Sequence, residues 1–321
     1  MSDRNAVIVM QNLTRRFGDV LAVEGLSLTI ERGEVVGLLG PNGAGKTTTI
    51  RMLCALLAPS SGEVRVAGYQ AGVDDQKIRA SVGLLPETPG LYLSLSAARN
   101  LAFYGTMYDV PDLKGQVERY LRMLDLWARR DDPVGTFSKG MLQKLAIARA
   151  VLHEPEVLLL DEPTSGLDPQ ASRLVRSFIE ALSEEGRTIL LSTHNLEEAD
   201  RLCDRIAVLK KHLLAVDTPE ALRQKMFGKK VVFQLKEARP TFRDLVEGYD
   251  FVSAVEVMGS KLVVTLEDPE RNNPRLVDAL VRSGAKVQFV GELRQRLEDV
   301  YLGLMRAVEG RNDEENPSPH K

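Results

Sequence analysis

Cysteine is scarce: the 321-residue chain has only Cys54 and Cys203. They lie far apart with no metal or redox spacing, so both are expected to be buried packing thiols in a reducing compartment. No apolar run approaches the ~18–20 residues that a membrane-spanning helix needs. An excess of positive charge is also missing. Lys and Arg number 42 against 45 Asp and Glu, a net charge of −3, and nothing in that balance gives the basic footprint of a nucleic-acid binder. No nucleic acid is expected as a partner. The first residues, Met1-Ser2-Asp3-Arg4-Asn5, lack the pattern of a secretory signal. The chain is expected to be cytoplasmic and to reach any membrane through another chain.

What is present is ordinary globular material, with 44% hydrophobic and 27% charged residues. The length suggests two domains. Residues 7–30 alternate strand-like runs with turns at 17–19 and 31–33, as an antiparallel sheet would. Short strands are expected at 63–66 and 82–85. From 94 to 152 the period becomes helical: Val117, Tyr120, Leu121 and Leu124 form one stripe, and Met141, Leu145, Ala148 and Leu152 another. Apolar runs without alternation return at 157–160, 188–192 and 205–209, the mark of strands buried on both faces of a parallel sheet.

These runs imply an α/β domain over 1–225 with a helical insert at about 90–152. After Thr218-Pro219-Glu220 the pattern restarts. Strands at 230–235, 251–257, 261–266 and 286–290, with helices at 274–282 and 293–306, imply a small α+β unit over 226–308, ferredoxin-like in arrangement. The polar stretch 309–321 cannot bury a core and is expected to be disordered.

Gly40-Pro41-Asn42-Gly43-Ala44-Gly45-Lys46-Thr47 fits the phosphate-binding loop G-x-x-x-x-G-K-[ST], between an expected buried strand and an expected helix. Such a turn curls the backbone N–H groups of Asn42, Gly43, Ala44, Gly45, Lys46, Thr47 and Thr48 around phosphate oxygens at a helix N-terminus. Lys46 would reach the β- and γ-phosphates, and the Thr47 hydroxyl would ligate Mg²⁺. The motif in this setting implies a P-loop NTPase core. Further along, Val157-Leu158-Leu159-Leu160-Asp161-Glu162 puts two carboxylates at the C-terminal end of a buried strand, the ligand edge of a doubly wound sheet. Asp161 would hold the metal, and Glu162 would orient or deprotonate the attacking water.

Four more segments follow the same order: Leu84-Leu85-Pro86-Glu87, Phe137-Ser138-Lys139-Gly140-Met141, Ser165-Gly166-Leu167-Asp168 and Leu191-Ser192-Thr193-His194. Together with the loop and the acidic pair they resemble the Q-loop, signature, D-loop and H-loop of the ABC ATPases, over roughly residues 7–225. The resemblance implies ATP and Mg²⁺ as ligands, with Phe17 stacking on adenine and Glu87 joining Thr47 and Asp161 at the metal. It implies that Lys46, Glu162 and His194 carry hydrolysis. Ser138 and Gly140 would bind the γ-phosphate held by a second copy, with Asp168 across the same interface. The partners implied are a second copy, paired head to tail, and an integral-membrane permease meeting the groove near Leu91-Tyr92-Leu93.

Two departures from the family pattern stand out. Lys139 and Met141 replace the commoner glycine and glutamine of the signature, and Glu87 replaces the Q-loop glutamine. A carboxylate there can still ligate Mg²⁺ but cannot donate an amide hydrogen bond. Both variants look like those of bacterial export systems whose ATPase and permease are separate chains, including antibiotic-resistance exporters. An importer ATPase and an ABC ATPase outside transport remain the alternatives.

Overall fold

The computed structural model describes residues 5–293 and 295–315. Its contacts divide the chain into two units, Met1–Thr218 and Pro219–Lys321.

The first unit opens with a long antiparallel hairpin, β1 (Ala6–Phe17) and β2 (Val20–Glu31). It turns at Gly18, whose φ of +54° suits glycine. After β3 (Val35–Leu39) and α1 (Lys46–Leu53) come β4 (Ser61–Val66), β5 (Tyr69–Gln70), α2 (Asp75–Ser81) and β6 (Val82–Leu85). The hairpin joins β4 and β5 in a four-stranded sheet of order β2-β1-β4-β5, as the alternation in the sequence implied.

The central sheet is completed by β7 (Val157–Asp161), β8 (Thr188–Thr193), β9 (Arg205–Lys210) and β10 (His212–Asp217), in the order β10-β9-β3-β8-β7-β6. Every pairing in it is parallel except β10 with β9. Every residue of β3, β7 and β8 is buried, which explains why their sequences do not alternate. Ile8, Leu13 and Leu26 of the hairpin share one core with Leu38, Leu159 and Leu190 of the central sheet. Each such fully buried aliphatic side chain contributes roughly 1.5–3 kcal/mol relative to exposure. The strand order reverses beside β3, so the loop after β3 opens at the sheet's C-terminal edge, where ligands bind.

The insert contains α3 (Ala97–Met107), α4 (Leu113–Met123) and α5 (Lys139–Val151); α6 (Pro169–Glu184) and α7 (Leu196–Leu202) return the chain to the sheet. On α4 the buried stripe is the expected one, Val117, Tyr120 and Leu121. The stripe expected on α5 is too narrow. Gln143, Lys144, Ala146, Ile147 and Ala150 are buried beside Leu145 and Ala148, because α3, α4, α6 and β6 surround this helix. Both thiols are free and buried, and burial pushes that of Cys54 up to about 12.

The second unit begins with α8 (Pro219–Phe227), before the domain start expected at 226, because α8 lies against α11 (Leu297–Glu315) of the same unit. Between them run β11 (Lys230–Leu235), α9 (Pro240–Glu247), β12 (Val252–Met258), β13 (Lys261–Leu266), α10 (Pro269–Arg282) and β14 (Val287–Glu292). The sheet is antiparallel with order β12-β13-β11-β14, the split βαβ of ferredoxin-like folds.

Three expectations need adjusting. α9 goes unread by periodicity; it is short, and Pro240 starts it. α10 starts at Pro269 rather than at 274, and Pro274 lies inside it, where its ring removes one N–H from the ladder. The helix α11 continues to Glu315, so backbone expected to be disordered from 309 is helical to that point. Adding a residue to a formed helix costs far less than nucleating one. Residues 316–321 lie outside the described residues.

Candidate nucleotide site

The loop between β3 and α1 is shaped by glycines that no other residue could replace. A Cβ on Gly40 would sit 2.4 Å from the Leu209 carbonyl oxygen, and one on Gly45 would sit 2.6 Å from that of Ala22. Gly43 and Gly45 also have φ of +79° and +98°. Gly45 caps α1 without a side-chain hydrogen bond, and the first-turn N–H groups of a helix have no acceptor inside it. Lys46 is 7% exposed, and its Nζ donates to the carbonyls of Gly40 at 2.8 Å and Pro41 at 3.3 Å. A buried ammonium beside the N-terminus of a helix suits a polyanion.

Gly43, Gly45 and Lys46 line a cleft of about 540 Å³, together with Phe17, Glu87 and Glu162. Phe17 is 45% exposed, and the Arg15 guanidinium covers one of its ring faces at 4.5 Å. The other face is left for a flat, apolar partner such as a base.

At the end of β7, Asp161 is 2% exposed and accepts from the Ser192 hydroxyl at 2.5 Å. Glu162 follows in the left-handed region, φ +51°, a strained conformation for a non-glycine residue. Its amide donates to the carbonyl and the hydroxyl oxygen of Ser192, at 3.2 and 3.1 Å, which fixes that conformation. The Glu162 carboxylate then lies 3.7 Å from Lys46 Nζ through Oε1 and 2.8 Å from His194 Nδ1 through Oε2. A carboxylate only accepts, so Nδ1 carries the proton of that hydrogen bond. His194 is largely exposed on its other side.

The chain therefore brings Lys46, Glu162 and His194 into one line of contacts beside the cleft. Thr47 and Glu87 line it, and Asp161 is buried beside Glu162. Hydroxyl and carboxylate oxygens are the donors that Mg²⁺ takes, so this donor set fits the ion that the sequence implies. Ser138 and Gly140 do not line the cleft. Ser138 caps α5, accepting from the Met141 amide at 3.3 Å, and Asp168 caps α6, accepting from Gln170 and Ala171.

Sequence reading missed several supports. Gln143 of α5 donates to the Pro163 carbonyl at 3.0 Å, and Arg149 of α5 donates to those of Pro89 and Gly90, beyond Glu87. Ser192 and Glu198 were also overlooked. A signal for Glu198 was available in Asn195-x-x-Glu198, the spacing of a helix cap and its third residue.

The family model described as ABC transporter matches residues 23–165. Nod factor export ATP-binding protein I of Burkholderia lata is 37% identical over 93% of this chain and 97% of its own length. Linearmycin resistance ATP-binding protein LnrL of Bacillus subtilis is 36% identical over 69% of this chain and 72% of its own. Among solved structures, a dimeric ATP-binding cassette in a post-hydrolysis state, bound to ADP and Pi, matches with a TM-score of 0.59 at 26% identity. That match covers 66% of this chain and 98% of the cassette. A likeness of 37% over nearly all of both chains takes in the two units together. This chain belongs to the ATP-binding subunits of the ABC transporters.

Proposed function

We propose that this chain is the ATP-hydrolysing subunit of an exporter and works as a head-to-tail dimer beneath a separate integral-membrane permease. The observation that carries the hydrolytic part is the Lys46–Glu162–His194 line of contacts beside the glycine loop. Lys46 neutralises charge on the β- and γ-phosphates. Phe17 stacks on adenine, and the loop amides of 42–48 cradle the phosphates. Glu162 orients the attacking water and accepts its proton, with His194 holding the carboxylate and touching the γ-phosphate. Thr47, Asp161 and Glu87 would hold Mg²⁺, which would supply positive charge to offset that building on the phosphates.

The dimer reading is supported by the placement of Ser138 and Gly140 away from the cleft and by the dimeric cassette among the structural matches. A surface that meets its own kind by two-fold symmetry completes two sites at once. Ser138→Arg in one copy of a mixed dimer should therefore silence the site of the unsubstituted partner, lowering its turnover roughly 10²-fold, about the cost of losing one anion-binding group. Nucleotide titration and single-turnover assays of tagged heterodimers read this; full hydrolysis by a dilute Ser138→Arg monomer overturns it.

Permease docking is proposed at the insert. Tyr92, Leu93, Phe103 and Met107 are exposed there, and Tyr92 and Phe103 pack edge to face at 5.1 Å. Such a patch suits the apolar face of a helix. Among the described residues no helix is long and apolar enough to cross a membrane, which is why a separate permease is part of the proposal. The direction rests on the export and resistance that the two relatives are named for. The second unit supports the dimer or the permease. Deleting the gene should sensitise cells to a class of small toxic compounds, and wild type but not Glu162→Gln should restore resistance. Failure to grow on a single nutrient, with unchanged toxin sensitivity, points to import instead.

A further inference from the structure

We infer that Glu198 is a positioning residue for hydrolysis: its carboxylate ties the segment after Glu162 to the strand end before His194. The inference rests on the ATPase reading above.

Glu198 is 2% exposed. Its Oε1 accepts from the Thr164 hydroxyl and its Oε2 from the Thr193 hydroxyl, each at 2.7 Å. Thr164 lies two residues after Glu162, and Thr193 immediately precedes His194. The two segments joined by this carboxylate are those whose next contact is the 2.8 Å hydrogen bond between Glu162 and His194. The outer bonds close a ring with the inner one. Without Glu198, the loop after β7 and the end of β8 would be joined near the site through Ser192 and the Glu162–His194 bond itself.

A simpler role for an acidic residue three positions beyond a cap is helix capping, where its side chain takes the amide of the cap residue. The geometry here argues against that role. The Asn195 amide donates to Thr193 Oγ1 at 3.0 Å instead. Asn195 itself caps α7 through Glu197 and Glu198 amides. The Glu198 carboxylate is released from capping and spent on the two threonines. Thr193 Oγ1, accepting from Asn195 and donating to Glu198, passes the constraint into the residue beside His194. Burial holds the Glu198 carboxyl above the usual carboxylate range, with the threonine hydroxyls opposing the shift. A carboxylate kept buried at that cost is satisfied by both hydroxyls.

The test compares Glu198→Ala, Glu198→Gln, Thr164→Val and Thr193→Val in the full chain, reading kcat per ATP-binding chain, KM for ATP, and Tm. Misplacing a reacting group by about 1 Å costs up to roughly 10²-fold in rate. Glu198→Ala should lose roughly 10- to 100-fold in kcat, while KM changes less than about threefold. Glu198→Gln keeps one acceptor and should fall between. The two valine variants leave the carboxylate in place and should lower kcat in the same direction. Thr164→Val combined with Glu198→Ala should cost little more than Glu198→Ala alone.

A bland structural role predicts the opposite split: Tm and the fraction of binding chains fall together while kcat per binding chain stays within about twofold of wild type. That result overturns the inference. Should Glu198→Ala fail to fold, the valine variants decide it, and unchanged kcat in both overturns it equally. Glu162→Gln is run alongside. If that variant hydrolyses ATP normally, the catalytic role given to Glu162, on which the clamp rests, has failed; if it is inactive while the Glu198 and threonine variants are at full rate, only the clamp is wrong.

Discussion

Glu162→Gln is expected to bind Mg-ATP as tightly as wild type and to hydrolyse it at least 10²-fold more slowly, the low end of what a positioned general base contributes. Glutamine keeps the shape of the side chain and can still meet His194, so the cleft and its glycine loop are undisturbed. It cannot take a proton from water. Binding should be retained because in the proposed mechanism Lys46 and the loop amides, not Glu162, hold the phosphates. The contact of Lys46 with Oε1 is only 3.7 Å, so removing its charge frees Lys46 for the phosphates rather than costing affinity. Uncleaved ATP should then hold two copies together. Steady-state turnover, an equilibrium titration with a fluorescent ATP analogue, and sedimentation with and without ATP read the three parts. Turnover near that of wild type would falsify the role given to Glu162.

Lys46→Ala should show the complementary pattern, with affinity and turnover falling together. The ammonium is buried, where a charge-assisted hydrogen bond is about twice as strong as a neutral one. Its removal leaves the phosphate charge opposed only by backbone dipoles. We expect a loss of at least about tenfold in affinity, for the ~1.4 kcal/mol that one such contact exceeds. Stability should change little or rise, because the variant no longer buries a cation whose partners are two carbonyl oxygens and a distant carboxylate. Titration with the same analogue and a thermal melt without nucleotide separate the two effects. An unchanged Kd would remove the phosphate-loop reading altogether.

The parts of the fold legible in the sequence were those set by local rules. The glycine loop, the acidic pair and the terminal histidine each adjoin a strand end in sequence, so each motif with its strand announces the edge of a parallel sheet. The apolar runs that became β3, β7 and β8 were legible for the same reason. The rest depends on contacts between distant segments. Nothing within Lys139–Val151 says that this helix is enclosed on nearly every side, because the enclosing elements come from four other places in the chain. Glu198 looks like a surface residue of a short helix until Thr164 arrives from 34 positions away. The start of α10 was misplaced because a proline reads equally well as a helix opening or an interruption, and Asp268 with φ of +44° settles it only in three dimensions.

The placement of Ser138 outside its own cleft also has a genetic consequence. In the head-to-tail pairing proposed above, a chain that folds and pairs but carries Ser138→Arg would damage its partner's site and spare its own. Expressed at equal levels with the normal copy, it would leave roughly one dimer in four with two normal chains, by random pairing across a two-fold interface. Where transport needs both sites of a dimer, loss of function from such an allele is therefore dominant. An allele that prevents folding, by contrast, removes only its own product and stays recessive.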